Sequence, residues 1–129
     1  MIFLDTSAVY AMADQGDPNH APALEKFNHI LATGEVLCLH SYILVESAAL
    51  LQARLGLPVA LQFLKDANVF QIEWVDQILN EKAVRELKRI GIRGISFVDC
   101  LSFVVMREKQ IKRALAFDPD FTAQGFMLY

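Results

Sequence analysis

Short apolar segments alternate with helical patterns along the whole chain, and this alternation constrains the fold more than any other feature. Four apolar segments, too short for independent helices, predict buried strands at residues 1–5, Val36–Leu39, Val69–Val75 and Ala114–Phe117. Residues 126–129 are a candidate fifth strand. The helical patterns between them run over residues 8–13, 20–32, 42–54, 58–67, 77–90 and 97–109. Strands separated by helices predict a three-layer α/β/α sandwich, in which helices cover both faces of a parallel sheet of about five strands.

Chain length and composition favour one compact domain over residues 1–129. The start, Met-Ile-Phe-Leu-Asp, has no basic segment and is not typical of a signal peptide. No apolar run reaches the roughly 20 residues that a membrane span requires. We therefore expect a soluble, cytoplasmic protein with no membrane association. Cys38 and Cys100 lie in apolar runs and are expected to be buried, reduced thiols.

Positive charge is concentrated in one part of the chain. The net charge is −3, yet nine of the twelve lysines and arginines fall within residues 82–113, which carry only three acids. This segment has a local charge of +6 and the rest of the chain −9. A basic segment that surrounds Asp99 predicts a phosphate-facing surface, and a solvated helix face is the alternative.

Four acidic residues are placed where a parallel α/β sheet builds its ligand site. Asp5 and Asp118 end predicted strands, Asp99 lies in the first turn of a helix, and Glu46 lies near the start of another. Ligands of open parallel sheets bind beyond the carboxyl ends of the strands. The four carboxylates are therefore expected to meet at one edge of the sheet.

Each aspartate also has a purely structural interpretation. Asp5, Thr6 or Ser7 could cap the first helix. Ser96 and Asp99 have the spacing of a capping box, and the Asp-Pro-Asp sequence at 118–120 is typical of a turn. Residue by residue, these alternatives stay open.

Glu46 is surrounded by apolar residues along its helix, which predicts that the helix is largely buried. A buried carboxylate needs a compensating charge. Lys26 and Arg54 are the only basic residues in the first 64, so a bound cation is the more economical compensation.

A carboxylate cluster repels itself unless cations hold it together. Ligation by oxygen alone favours hard ions, so Mg²⁺ or Mn²⁺ is expected. Such ions polarise phosphodiesters and activate water, which makes a nuclease the expected function class.

The ordered set of motifs resembles the PIN-domain ribonucleases, and among them the VapC-type toxins of toxin–antitoxin pairs. The segments that carry the resemblance are Ile-Phe-Leu-Asp5-Thr6-Ser7, Tyr-Ile-Leu-Val-Glu46, Ile-Ser96-Phe-Val-Asp99-Cys-Leu and Ala-Phe-Asp118-Pro-Asp120-Phe121. Together they cover essentially the whole chain.

The resemblance implies hydrolytic cleavage of RNA with Mg²⁺ or Mn²⁺. Asp5, Asp99 and Asp118 match the metal-binding aspartates of the family, and Glu46 matches its acidic residue on a helix. Thr6 or Ser7 matches the hydroxyl that orients Asp5 or a water molecule, and Asp120 is close enough to add to the site or to take the role of Asp118. A homodimer and a small VapB-type antitoxin are also implied. Within the basic segment, Arg93 and Arg107 are the candidates for phosphate contacts.

Three functions other than a toxin are alternatives for a chain with these motifs. A PIN nuclease of RNA processing would share the site, and a small upstream reading frame for an antitoxin would distinguish the two. A non-catalytic PIN-like interaction module would not need all four acids. A receiver-type phosphorylation domain requires two adjacent acids after its first strand, which this chain lacks.

Overall fold

The computed structural model describes residues 1–129 and contains five strands and seven α-helices. The strands are β1 (Ile2–Leu4), β2 (Leu37–His40), β3 (Gln71–Glu73), β4 (Arg113–Leu115) and β5 (Met127–Leu128). The helices are α1 (Thr6–Ala13), α2 (His20–Ala32), α3 (Ser41–Leu55), α4 (Leu57–Asp66), α5 (Gln77–Ile90), α6 (Phe97–Glu108) and α7 (Asp120–Ala123).

All five strands are parallel and lie in the order β3-β2-β1-β4-β5. The chain therefore builds outward from β1 in one direction and then returns to place β4 on the other side. In a doubly wound sheet this reversal leaves a crevice beyond the carboxyl ends of the two central strands. Here that crevice lies between the ends of β1 and β4, which pair through Phe3–Ala114 and Leu4–Leu115.

Helices flank the sheet in two groups, which confirms the predicted α/β/α architecture. Helices α1 to α4 pack against one another, and α5 packs along α6. The central strands β1 and β2 are buried on both sides, with Ile2, Phe3 and Leu4 completely inaccessible, whereas the edge strands β3 and β5 are partly exposed. Buried parallel strands of this kind explain why the sequence shows continuous apolar runs rather than alternation.

Helix caps account for most of the element boundaries. Asp76 and Ser96 cap α5 and α6, as the sequence predicts, and His40 caps α3 through an N–H bond from Ile43 to its ring. The first helix is capped by Asp5, not by Thr6 or Ser7, because the side chain of Asp5 accepts the Ser7 N–H. The capping alternative for Asp5 is therefore confirmed.

Two local predictions needed correction. The third strand is shorter than residues 69–75, because Ala67–Val69 forms a turn of 3₁₀ helix and only Gln71–Glu73 pairs with β2. The Asp-Pro-Asp sequence leads into the short helix α7, which the sequence did not predict. Both cysteines are buried and free, as expected, and no helix is long and apolar enough to span a membrane.

Candidate active site

Asp5 lies at the centre of the crevice, directly after β1, and is only 6% exposed. One carboxylate oxygen, Oδ2, accepts two hydrogen bonds from Ser7: from its backbone N–H at 3.1 Å and from its hydroxyl at 2.5 Å. Burial raises the pKa of Asp5 from 3.8 to about 6, although the Ser7 donors lower it; the charges of Asp99 and Asp118 raise it further. The main cause of the raised pKa is therefore the burial of the carboxylate, and the neighbouring acids add to it.

The hydroxyl of Ser7 connects the two central strands. It accepts the backbone N–H of Phe117 at 3.0 Å while it donates to Asp5. Phe117 immediately precedes Asp118, so one hydroxyl fixes the end of β1 relative to the segment after β4. Thr6 instead accepts a longer hydrogen bond of 3.4 Å from Ser47. Between the two hydroxyls that the resemblance allowed, Ser7 is the one that orients Asp5.

Three further aspartates converge beside Asp5. One carboxylate oxygen from each of Asp99, Asp118 and Asp120 can be chosen so that all three lie within 4.8 Å of one another. Asp99 reaches this point from the first turn of α6, and the other two from the turn that opens α7. All three side chains are partly accessible to solvent. The sequence treated Asp120 as an accessory, whereas the structure places it among the converging carboxylates.

The structural interpretations of Asp99 and Asp118 hold alongside the functional one. Asp99 Oδ2 accepts the Ser96 N–H at 2.9 Å, and the Ser96 hydroxyl accepts the Asp99 N–H, so the capping box is present. Asp118 Oδ1 accepts the backbone N–H of Asp120 at 2.9 Å. Each carboxylate uses one oxygen to hold its own loop and keeps the other for a ligand. These bonds hold the cluster in place before any ligand binds.

The charge of this cluster is not neutralised by the protein. None of Asp5, Asp99, Asp118 and Asp120 forms an ion pair with a lysine or arginine, although the structure has five side-chain ion pairs elsewhere. Burial and the neighbouring Asp118 also raise the pKa of Asp120. Three converging carboxylates without a cationic partner, with Asp5 close enough to Asp99 and Asp118 for their charges to raise its pKa, fit a hard divalent cation that prefers oxygen ligands.

The burial predicted for Glu46 is wrong. Helix α3 buries one face, at Ser41, Ile43, Ser47 and Leu51, and leaves the neighbouring Val45 65% exposed. Glu46 is exposed as well, so it needs no compensating charge, and it is not among the converging carboxylates. Apolar residues around α3 do not by themselves predict burial, because several of them face solvent. Its assignment to the site now rests on the family resemblance alone.

Arg107, one of the two candidates for a phosphate contact, already has protein partners. Its guanidinium bonds to Glu86 at 2.6 Å and to Gln124 at 3.2 Å, and it lies over the ring of Phe126. These contacts fix α5, α6 and the segment after α7 to one another, which is a structural role. The other candidate, Arg93, is exposed in the loop before α6 and forms no ion pair.

Ion pairs reduce the basic character of the 82–113 segment more generally. Five of its nine basic residues pair with acids: Lys82, Arg89, Arg107, Lys109 and Arg113. The four that remain unpaired are Arg85, Lys88, Arg93 and Lys112. The acids that neutralise the others include Glu35 and Glu73, which lie outside the segment, so a local charge count overestimates the free positive charge.

A doubly wound parallel sheet with a cluster of carboxylates at its switch point is typical of metal-dependent α/β nucleases. Comparison with known families places the chain within that class: the PIN domain model matches residues 2–126, and the chain belongs to the PIN domain family.

Two relatives show how far the similarity extends. The 23S rRNA-specific endonuclease VapC20 of Mycobacterium tuberculosis is 38% identical over 129 residues, which cover 98% of this chain and 96% of the relative. The crystal structure of VapC20, described as a sarcin-ricin loop cleaving toxin, superposes with a TM-score of 0.86 at 37% identity and covers 98% of this chain and 97% of that one. PAE2754 from Pyrobaculum aerophilum shares the fold, with a TM-score of 0.63 at 23% identity over 98% of this chain and 87% of that one.

Proposed function

We propose that this chain is a metal-dependent endoribonuclease that hydrolyses RNA phosphodiester bonds and acts as the toxin of a type II toxin–antitoxin pair. The observation that carries the proposal is the set of unneutralised aspartates at the switch point between β1 and β4. The family and the relationship to VapC20 along the whole chain support it. The domain would comprise residues 1–129, and the proposed substrate and partner imply a cytoplasmic location.

Asp5, Asp99 and Asp118 are the proposed ligands of Mg²⁺ or Mn²⁺, as the family resemblance implies, and Asp120 joins them because its carboxylate converges with those of Asp99 and Asp118. When bound, the ion supplies positive charge to the scissile phosphate and lowers the pKa of water. With a pKa of about 6, Asp5 is already mostly ionised at neutral pH, and a nearby cation is expected to lower that pKa and so stabilise the charged form. Glu46 would act from the rim of the site on water or on a second ion.

The remaining residues position these carboxylates. The Ser7 hydroxyl donates a hydrogen bond to one oxygen of Asp5 and leaves the other oxygen free. The same hydroxyl accepts the Phe117 N–H, which fixes the backbone next to Asp118. Hydrolysis would break the bond between phosphorus and O3′, leaving a 5′-phosphate and a 3′-hydroxyl. Arg93 is the proposed contact for a neighbouring phosphate.

Ribosomal RNA is the proposed substrate because VapC20 is named as a 23S rRNA-specific endonuclease and aligns over almost its whole length. Cleavage of a sarcin–ricin stem-loop RNA in Mn²⁺ tests this, with an unrelated stem-loop of equal length as the comparison. We expect Asp99→Asn and Asp118→Asn to lose at least about 100-fold in rate. Glu25→Gln is the matched control, because Glu25 is exposed on α2 and forms no ion pair.

Undiminished cleavage by folded Asp99→Asn and Asp118→Asn variants would refute the site. Failure of the parent to bind Mn²⁺ in isothermal titration would instead favour a non-catalytic PIN-like module. Equal cleavage of both stem-loops would support the ribonuclease function but would exclude specificity for ribosomal RNA.

An apolar groove supports an antitoxin as the partner. It has a volume of about 450 Å³ and lies where α1, α2, α3 and α4 meet. Its apolar lining includes Val9, Met12, Leu24, Phe27, Val59 and Phe63. A groove of this kind suits the apolar face of an amphipathic helix, and Asp66 in its lining could pair with a basic side chain of that helix.

The groove is tested by binding of the small protein encoded beside the toxin gene. Leu24→Asp should weaken that binding by at least about 10-fold. Leu31→Asp is the matched control, because Leu31 is exposed on the same helix but does not line the groove. Equal weakening by both variants would contradict this placement. A homodimer is proposed from the family resemblance alone, and sedimentation velocity tests it.

A further inference from the structure

Trp74 is the only tryptophan of the chain, and 68% of it is exposed. Tryptophan is highly buried on average, so an indole this open is a candidate for contact with a partner. Its position in the fold suggests which one, because it follows β3 directly and so lies at the sheet edge that carries the aspartates.

Strand register places Trp74 close to Asp5. Phe3 pairs with Cys38, so Asp5 stands level with His40 two residues later, and His40 pairs with Glu73. Along the strand direction, the backbone of Trp74 is therefore one residue beyond that of Asp5, and the two residues are separated by two strand spacings. At the usual spacing of neighbouring strands, the two backbones are about 10 Å apart across the sheet.

The backbone on both sides of Trp74 is fixed. Glu73 is paired with β2, and the N–H of Val75 donates to the hydroxyl of Ser41 at 3.0 Å. Asp76 then caps α5. An indole held on an anchored loop is presented rigidly, so little conformational entropy is lost when it binds.

Aromatic side chains lie on the elements next to Asp99 and Trp74. Phe97 begins α6, two residues before Asp99, and its ring lies 6.0 Å from that of Tyr42. Tyr42 follows Ser41, the residue bonded to the Trp74 loop. Glu73, the residue before Trp74, is neutralised by an ion pair with Lys109 at 3.0 Å.

We propose that Trp74 stacks an unpaired base of the RNA substrate at the same edge of the sheet as the scissile phosphate. This inference rests on the proposed ribonuclease function and adds a base-binding position to it. Aromatic stacking is the usual way that proteins hold single-stranded or flipped-out bases, and it requires only one open ring face. The phosphate bound by the aspartates and the base on Trp74 would belong to the same short stretch of RNA.

A second copy of the chain is the competing occupant. Ile78 and Val45 are 64% and 65% exposed, and an apolar interface could include them together with Trp74. An interface of that kind needs a broad complementary surface, whereas stacking needs only the ring and its distance from the carboxylates. The two occupants predict different results.

Cleavage kinetics of Trp74→Ala and Trp74→Phe test the stacking. We expect Trp74→Ala to raise KM for RNA about 10-fold with kcat within about 2-fold, and Trp74→Phe to recover most of the loss, since a loss of about 1.4 kcal/mol per base is tenfold in binding. Ile78→Ala is the matched control and should keep the parental KM. An unchanged KM for Trp74→Ala in a parent that cleaves RNA would overturn the stacking and leave the ribonuclease function in place.

The indole itself reports binding, because no other tryptophan contributes to its emission. In the Asp5→Asn variant, a short single-stranded RNA should quench this emission saturably. Absence of quenching would overturn the proposal, including in the case where the parent cleaves no RNA and the proposed function has failed. A dimer that dissociates on Trp74→Ala in sedimentation velocity, with Ile78→Ala showing the same defect, would assign the patch to a second copy and also overturn it.

Discussion

Replacing Asp5 by Asn should stabilise the metal-free protein, and the size of the effect follows from the raised pKa. Folding raises the pKa of Asp5 from 3.8 to about 6, so the folded state binds more protons than the unfolded state between these values. The stability of the parent therefore falls as pH rises through this window. One pKa unit corresponds to about 1.4 kcal/mol, which gives a cost of about 3 kcal/mol near pH 7.5 and about 0.5 kcal/mol near pH 4.

Asn removes the buried charge and keeps an oxygen that can accept both Ser7 bonds. Urea unfolding in EDTA should therefore give a free energy of unfolding that is higher for Asp5→Asn at pH 7.5, by up to about 3 kcal/mol. The difference between variant and parent should shrink by about 2 kcal/mol at pH 4. Mn²⁺ should then stabilise the parent far more than the variant. A variant that is less stable than the parent by the same amount at both pH values would refute the reasoning.

Three further predictions concern the groups that support the site. Ser7→Ala should reduce the cleavage rate at least about 10-fold, whereas Thr6→Ala should not, because only Ser7 holds Asp5 and bonds to the Phe117 N–H. Asp120→Asn should weaken Mn²⁺ binding in isothermal titration about 10-fold, and unchanged affinity would remove it from the ligand set. Glu86→Gln should lower the free energy of unfolding near pH 7 by about 2 kcal/mol, because the Arg89 and Arg107 bonds lower the pKa of Glu86 to about 2. That stabilisation is present above about pH 4.5 and lost as pH falls toward 2, so an equal effect of Glu86→Gln at pH 2.5 and pH 7 in urea titrations would contradict it.

The alternation of strands and helices was sufficient to predict the architecture. The central strands are short and mainly apolar because helices cover both sides of the sheet, and that pattern is visible without coordinates. The strand order could not be predicted in the same way, since it depends on which strands pair across long connections. The placement of β4 beside β1, which creates the crevice, involves residues more than 100 positions apart.

The convergence of Asp5 and Asp118 could be predicted because both follow parallel strands that end at the same edge of the sheet, and these strands are adjacent. Asp5 directly follows β1, whereas β4 ends at Leu115, so the predicted strand 114–117 extends too far and Asp118 lies in the turn that opens α7. Ser7 could be recognised only as one of two hydroxyls, because its partner Phe117 comes from a distant segment.

The errors arose where a side chain's environment depends on tertiary contacts. Glu46 was expected to be buried from the apolar residues beside it, but only one face of α3 packs against the protein. The ion pair of Arg107 could not be predicted from the local charge either, because its partner Glu86 lies on another helix. Burial and ion pairing both depend on neighbours that are remote in sequence, which a periodic pattern does not identify.

The dependence of RNA cleavage on Mn²⁺ concentration tests the central claim most directly. The parent should show no cleavage in EDTA and a rate that rises to saturation as Mn²⁺ is added. Asp118→Asn should require at least about 10-fold more Mn²⁺ for half the maximal rate, because it loses one of the converging carboxylates. A parent that cleaves RNA equally well in EDTA, or an Asp118→Asn variant with the parental Mn²⁺ dependence and rate, would contradict the account.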